Sequence, residues 1–226
     1  MKMKNRVLIL IAYITCFTLS AAAQKPAEAK SPAVLKMDQL FLTMPEEITP
    51  LLTAVNRADM VDFKENNMKA EVTNALGGTS EMVTLSDSYI YLKTSKSSSL
   101  QIKLLPYFGT SIIAVVETVN GPAEDSHITF YNLDWKENKV ASGLVPKLSF
   151  ENFYYDNVKS ATETQLAALK SLNLLLYSVQ LAAENNDITI QLSTMKYLDK
   201  SVAEKVSLLL KPQLELVWTE KGYALR

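Results

Sequence analysis

The sequence predicts an α+β fold: a mostly antiparallel sheet of meander and hairpins, with short N-terminal helices and two further helices in the second half. Two observations carry this. From Glu71 to Val140, apolar and polar residues alternate with a period of two, in runs broken by short Gly, Ser, Asn and Asp clusters. On either side of that region, apolar residues recur at helical spacing behind Ser, Thr, Asn or Asp caps.

The elements follow in chain order. In "TMPEEITPLLTAVNRADMVDF" (43–63), Thr43 and Glu46 have capping-box spacing around Pro45. Pro50 would interrupt a continuing helix, so two short, proline-started helices are expected. Ile48, Leu51, Leu52 and Val55 would share the inward face of the first. Asn56 with Asp59 would start the second, with Met60 and Phe63 inward. Strands are then expected in "EMVTLSDSYIYLKTS", "LQIKLLPY", "TSIIAVVETV" and "HITFYNLDWKENKV". The breaks fall at Gly77-Gly78, Ser86-Asp87, Ser95 to Ser99, Gly109 and Asn120-Gly121-Pro122. "SIIAVVETV" is apolar on both faces at its centre, which predicts a central strand covered on both sides. "LSFENFYYD" reads as another strand. "SATETQLAALKSL" reads as a helix capped by Ser160, with Glu163 completing the box. Asn173 to Ala183 fits either helix or strand; the hairpin is preferred because Tyr177, Val179 and Leu181 alternate with polar neighbours before an "ENND" turn. "DKSVAEKVSLLL" is a helix stopped by Pro212, and "QLELVWTEKGYAL" is a closing hairpin.

The chain begins with Lys2, Lys4 and Arg6, an apolar run from Val7 to Leu19, and Ala21-Ala22-Ala23. This is the layout of a secretory signal peptide over residues 1–23, cleaved after Ala23. The apolar run is well short of the roughly 20 residues that span a bilayer. Cys16 lies inside it, without the small preceding residue of a lipid-anchored cysteine, and cleavage would leave the mature chain without any thiol. Residues 24–33 read as a flexible leader and 34–226 as one α+β domain. Lys+Arg falls from 23 to 20 when Lys2, Lys4 and Arg6 are removed, while Asp+Glu stays at 24, so the formal charge goes from -1 to -4. With Arg57 and Arg226 the only arginines left and no basic cluster, nucleic-acid binding has no electrostatic footprint. No later segment is long and apolar enough to span a membrane.

The stretch "LFLTMPEEITPLLTAVNRADMVDF", the turn Val83-Thr84-Leu85-Ser86-Asp87-Ser88, the lysine-rich last helix and the "LELVW" end resemble a family of secreted proteins of unknown function from Bacteroides and related bacteria. The resemblance implies export and a single-family architecture. It implies no catalytic residue.

Candidate chemistries are few. His127 is the single histidine, beside Glu124 and Asp125; one histidine cannot build a multi-histidine zinc site. No G-x-S-x-G elbow accompanies the serines, and only His127 would complete a triad. Glu46-Glu47 suit a helix N-terminus, while Glu117 and Asp134 are the acids that would reach a cleft from strands. Gly77-Gly78 lacks the Lys-Ser/Thr of a phosphate loop. No cofactor is expected. The aromatic run around Phe153, Tyr154 and Tyr155 is the candidate ligand-binding surface, and Arg57, Asp59 and Asp62 form a candidate structural polar cluster. The reading is therefore a non-enzymatic periplasmic or envelope-associated binding or accessory module, whose partner is an envelope protein, a glycan or an apolar small molecule. Two alternatives remain: a carrier of an apolar ligand in a pocket under the helices, and a hydrolase built on His127 or a carboxylate pair.

Overall fold

Six strands follow one another in space as they do in sequence: β1 (Ala70–Thr73), β2 (Thr79–Leu85), β3 (Tyr89–Ser95), β4 (Ser98–Tyr107), β5 (Thr110–Asn120) and β6 (Glu124–Tyr131). They form the antiparallel meander that period-two runs joined by short turns require. The computed structural model describes residues 36–226; the expected signal peptide, its cleavage after Ala23 and the leader 24–33 lie outside them. The turns fall at the breaks read from Gly77-Gly78, Ser86-Asp87, Gly109 and Asn120-Gly121-Pro122. In β5, Ile112, Ala114 and Val116 enter one core while Ile113 and Val115 enter another, so the strand is covered on both sides. β1, too short and too polar to stand out in the sequence, is an edge strand.

One face of this sheet carries α1 (Met37–Thr43) and α2 (Ala54–Glu65). Met37, Phe41, Leu52 and Met60 are fully buried there against Met82, Ile90, Leu92 and Ile102. The two helices lie on either side of the proline-rich stretch rather than inside it. Pro45 and Pro50 sit in turns, and α2 is capped by Thr53, whose hydroxyl accepts from the Asn56 amide while the Asn56 side chain accepts from Thr53 N–H. Asn56 thus completes the box instead of opening it. Val55, expected inward, is 68% exposed, because starting the helix at Ala54 turns it outward. Lys64 donates to the carbonyl of Val83 (2.7 Å), which a shift in the β2–β3 register leaves unpaired. Trp135, in the loop after β6, closes this core by donating from Nε1 to Leu40 O (3.0 Å).

The other face packs on a second antiparallel sheet: β7 (Tyr177–Leu181), β8 (Ile188–Leu192), β9 (Gln213–Thr219) and β10 (Gly222–Leu225), in the order β10-β9-β8-β7. Leu105, Ile112, Val116 and Phe130 share a core with Val179, Leu181, Ile190 and Leu216. The hairpin reading of Tyr177 to Leu192 holds, though Asn173 to Leu176 belongs to no strand. Flanking this core are α3 (Glu163–Lys170) and α4 (Lys200–Val206). Thr162 and Gln165, not Ser160 and Glu163, form the box that starts α3. Gly222 holds a φ of +106°, and a Cβ there would lie 2.6 Å from Leu144 O, so only glycine lets the last hairpin close on that loop.

The segment "LSFENFYYD" (148–156), expected as a strand, instead carries a 3-10 turn at Phe150–Phe153 and opens a second at Asp156–Ser160. The Asn152 side chain accepts from Ser149 N–H at 2.8 Å, a local bond that favours a turn over a ladder.

Candidate functional site

Where the sheets meet, the outer edge of β7 runs against the face of β4 and β6. An edge strand leaves alternate backbone groups without a ladder partner. Here side chains supply them. Ser126 Oγ accepts from Val179 N–H (3.0 Å), and Gln101 Nε2 donates to Val179 O (2.9 Å). Gln101 Oε1 accepts from Leu181 N–H (2.9 Å), and Lys103 Nζ donates to Ala183 O (2.8 Å). The Gln101 amide does the work of a neighbouring peptide. Its Oε1 also accepts from Tyr89 OH (3.1 Å) and Gln180 Nε2 (2.8 Å). Burial pushes the Tyr89 hydroxyl up to about 12, and burial pulls the Lys103 ammonium below its ordinary value.

This seam floors a cleft of about 340 Å³, within the usual size range of small-ligand sites. Its walls carry the side chains of Tyr91, Ser99, Asn120, Ser178, Thr189 and Gln191. None of these six donates or accepts a side-chain hydrogen bond among the described residues. At the rim, Glu124 is paired with Lys196 (2.6 Å), whose ammonium holds its carboxyl below the usual range. Apart from the paired Glu124, the cleft is therefore lined by neutral hydroxyls and amides with free hydrogen-bonding capacity, on a floor whose polar groups are satisfied.

A second feature lies at the tip of the β4–β5 hairpin. Phe108 (φ 43°) and Gly109 (φ 76°) are both left-handed, as in a two-residue type I′ turn. That turn favours Asn, Asp or Gly, and a bulky residue in it is strained. Phe108 is nevertheless there, 81% exposed, with Tyr107 edge-on at 4.7 Å. Beside it a groove of about 880 Å³ runs between Pro106–Thr110 and Trp218–Glu220. Trp218 donates from Nε1 to Pro106 O (3.1 Å) and packs edge-on against Tyr223 (4.8 Å).

The residues singled out from sequence fare differently. Phe153 is fully buried core, Tyr154 is half-buried and bridges Leu210, and only Tyr155 is exposed, so no aromatic platform forms. The helical turn replaces the alternation that would have aligned them. Arg57 is 2% exposed and donates to three backbone carbonyls: Phe41 (3.1 Å), Leu52 (2.9 Å) and Met44 (2.5 Å). Burial lowers its pKa, opposed by Glu46. Asp59 and Asp62 do not join it. At 100° per residue they lie on the far side of α2, exposed, with Asp62 accepting from Asn66. The Thr43–Glu46 box does not form, because Thr43 ends α1 and its hydroxyl donates back to Leu40 O; Glu46 lies in a turn and accepts from Ala54 N–H (3.0 Å) at the start of α2 instead.

His127 stands opposite Glu117 across β5 and β6, both exposed and with no hydrogen bond between them. Asp134 is paired with Lys136 in a turn beyond Tyr131, itself four positions, or roughly 13 Å, along the strand from His127. The carboxylate pair Glu117 and Asp134 therefore does not converge. No group of three His, Cys, Asp or Glu side chains suited to a metal occurs among the described residues. Packed side chains fill the space under α1 and α2, where an apolar-ligand carrier was expected to have its pocket. No described helix is long and apolar enough to cross a membrane. Sequence reasoning missed Gln101 and Phe108; an aromatic directly before the turn glycine Gly109 was the available signal for the second.

Fold and site together define an α+β protein of two antiparallel sheets with a neutral polar cleft at their junction. Its sequence matches, over residues 31–223, the model of a family described as a protein of unknown function, DUF3256. The chain belongs to that family. A solved structure is similar: a domain of an uncharacterized protein from Porphyromonas gingivalis W83, 25% identical, with a TM-score of 0.73, covering 84% of this chain and 98% of that one. No curated protein matches.

Proposed function

We propose that this chain is an exported, non-enzymatic binding module of the envelope of a Bacteroides-type bacterium, and that its polar cleft takes a neutral glycan. The carrying observation is the ring of six neutral side chains with unused hydrogen-bonding capacity around a 340 Å³ cleft. A polyhydroxylated ligand offers alternating donors and acceptors to such walls, and Tyr91 offers a ring face beside them. Glu124 is the one charged side chain that lines the cleft, and Lys196 offsets it, which argues against an ionic ligand. The signal-peptide pattern in residues 1–23 and the similarity to a Porphyromonas gingivalis domain support the export and source.

The test is a glycan array probed with the mature chain from Gln24, followed by calorimetry on any hit. Binding of a neutral glycan that weakens about tenfold or more in Gln191→Ala and in Tyr91→Ala is expected, the loss of one or two good hydrogen bonds or a stacking face. No glycan bound above background, or binding untouched by both substitutions, would refute the reading.

A further inference from the structure

We infer that the groove beside the β4–β5 hairpin tip binds a small organic cation, an ammonium carrying methyl or other carbon substituents. The glycan cleft does not enter this inference, and either can fail without the other. Tyr107 and Phe108 stand edge-on with their ring planes 76° apart, so they form two walls of a corner rather than one flat platform. Trp218 lines the groove on the opposite side. Its Nε1–H is already given to Pro106 O, which leaves the indole to act through its π system and its apolar edge. Aromatic faces are negative at their centres and attract a cation held against them.

The charge of the groove selects the occupant. Glu220 is the one charged residue among those that line it, and it makes no ion pair among the described residues. Lys221, next in sequence, is exposed but does not line the groove. A neutral apolar ligand would draw water off the Glu220 carboxylate and give it no partner. An anion would meet that carboxylate and the negative ring faces together. A cation with an apolar coat suits both, whereas a bare ammonium is strongly hydrated and gives up its water less readily. The backbone supplies an independent observation. Phe108 holds a φ of 43° in a turn that Asn, Asp or Gly adopts with less strain, yet its ring belongs to neither core. Strain kept on an exposed aromatic ring does nothing for packing, and strain of this kind is found at ligand clamps.

The experiment is a titration of the mature chain with choline, followed by NMR through the Trp218 Nε1–H and Gly109 amide signals. A parallel titration uses the neutral isostere of choline, in which carbon replaces the charged nitrogen. A choline dissociation constant on the order of 1 mM is expected, with the isostere bound about tenfold more weakly. Phe108→Asn should weaken choline about threefold or more while leaving the unfolding midpoint unchanged or raised, because Asn suits a type I′ turn. Glu220→Gln should weaken choline but not the isostere, and it keeps the test decisive should Phe108→Asn alter the hairpin. Choline bound alone supports the inference with a free amine as ligand, and phosphatidylcholine vesicles bound as well support it with a lipid headgroup. Signals that stay fixed at about tenfold the expected dissociation constant overturn it. So does an isostere bound as tightly as choline, and so does choline binding indifferent to both Phe108→Asn and Glu220→Gln.

Discussion

Replacing Gln101 with leucine would remove the amide that serves the open edge of β7 while keeping a side chain of similar length. Two backbone groups then lose their partners, Val179 O and Leu181 N–H. Both belong to residues only 2% exposed, so water cannot take over without opening the seam. Tyr89 O–H loses its acceptor as well, although its oxygen still accepts from Gln180 Nε2 at 3.3 Å, so the two backbone groups set the lower bound of the loss. At about 1–3 kcal/mol for each unsatisfied buried group, the expected loss is about 2–6 kcal/mol. That is a large part of the 5–15 kcal/mol typical of a domain. Equilibrium urea unfolding followed by circular dichroism measures it, with the m-value unchanged if the native packing is kept. A matching substitution sharpens the test. In Gln101→Glu the carboxylate still accepts from Leu181 N–H but faces Val179 O with no proton to give. Burial raises the pKa of the new carboxyl in the folded state, so the folded chain binds the proton more tightly than the unfolded chain. Stability should therefore rise as pH falls through that raised value, as the protonated acid regains its donor. A loss below about 1 kcal/mol in Gln101→Leu would refute the reasoning, because it would mean that the edge of β7 does not depend on this amide.

Other outcomes follow from the same structure. Arg57→Met should cost about 3 kcal/mol or more in thermal or urea unfolding, since three buried carbonyls lose a charged donor; Asp59→Asn and Asp62→Asn should each stay within about 0.5 kcal/mol, and a large effect of either would restore the polar cluster. The Glu124–Lys196 pair predicts a small acid-sensitive contribution. The Glu124 carboxyl is held below its ordinary value of 4.5, so its contribution is complete above that pH and is lost as pH falls through the depressed folded value. With both side chains partly exposed it amounts to less than about 1 kcal/mol, so Lys196→Met should lower stability at neutral pH by up to that amount and flatten the loss on acidification below about pH 4.5.

Much of the fold was legible because it is local. The turns at Gly77, Gly109 and Asn120 to Pro122 were readable from residues that tolerate or impose turn geometry, and β5 from an apolar run that fits no half-exposed strand. The errors were local too. Asn152 and Thr53 each form a side-chain bond three residues away, and those bonds decided between strand and turn at Phe150 and between two starting points for α2. Arg57 illustrates a different limit: its neighbours in sequence suggested acids, while the helix turned it inward toward carbonyls of Phe41, Met44 and Leu52.

By itself the sequence determined the class of the fold, most of its strand boundaries and the two-sided burial of the central strand, because alternation, caps and turn residues act over a few positions. Only the tertiary structure decided the site. Gln101 reaches residues 78 and 80 positions away, and Trp218 closes on Pro106 across 112. Which polar side chains are spent on the seam, and which are left free in the cleft, depends on how the edge of one sheet lands on the face of another. That docking is settled by burying the shared core of Ile112, Val116, Leu181 and Ile190, and no short-range pattern encodes it.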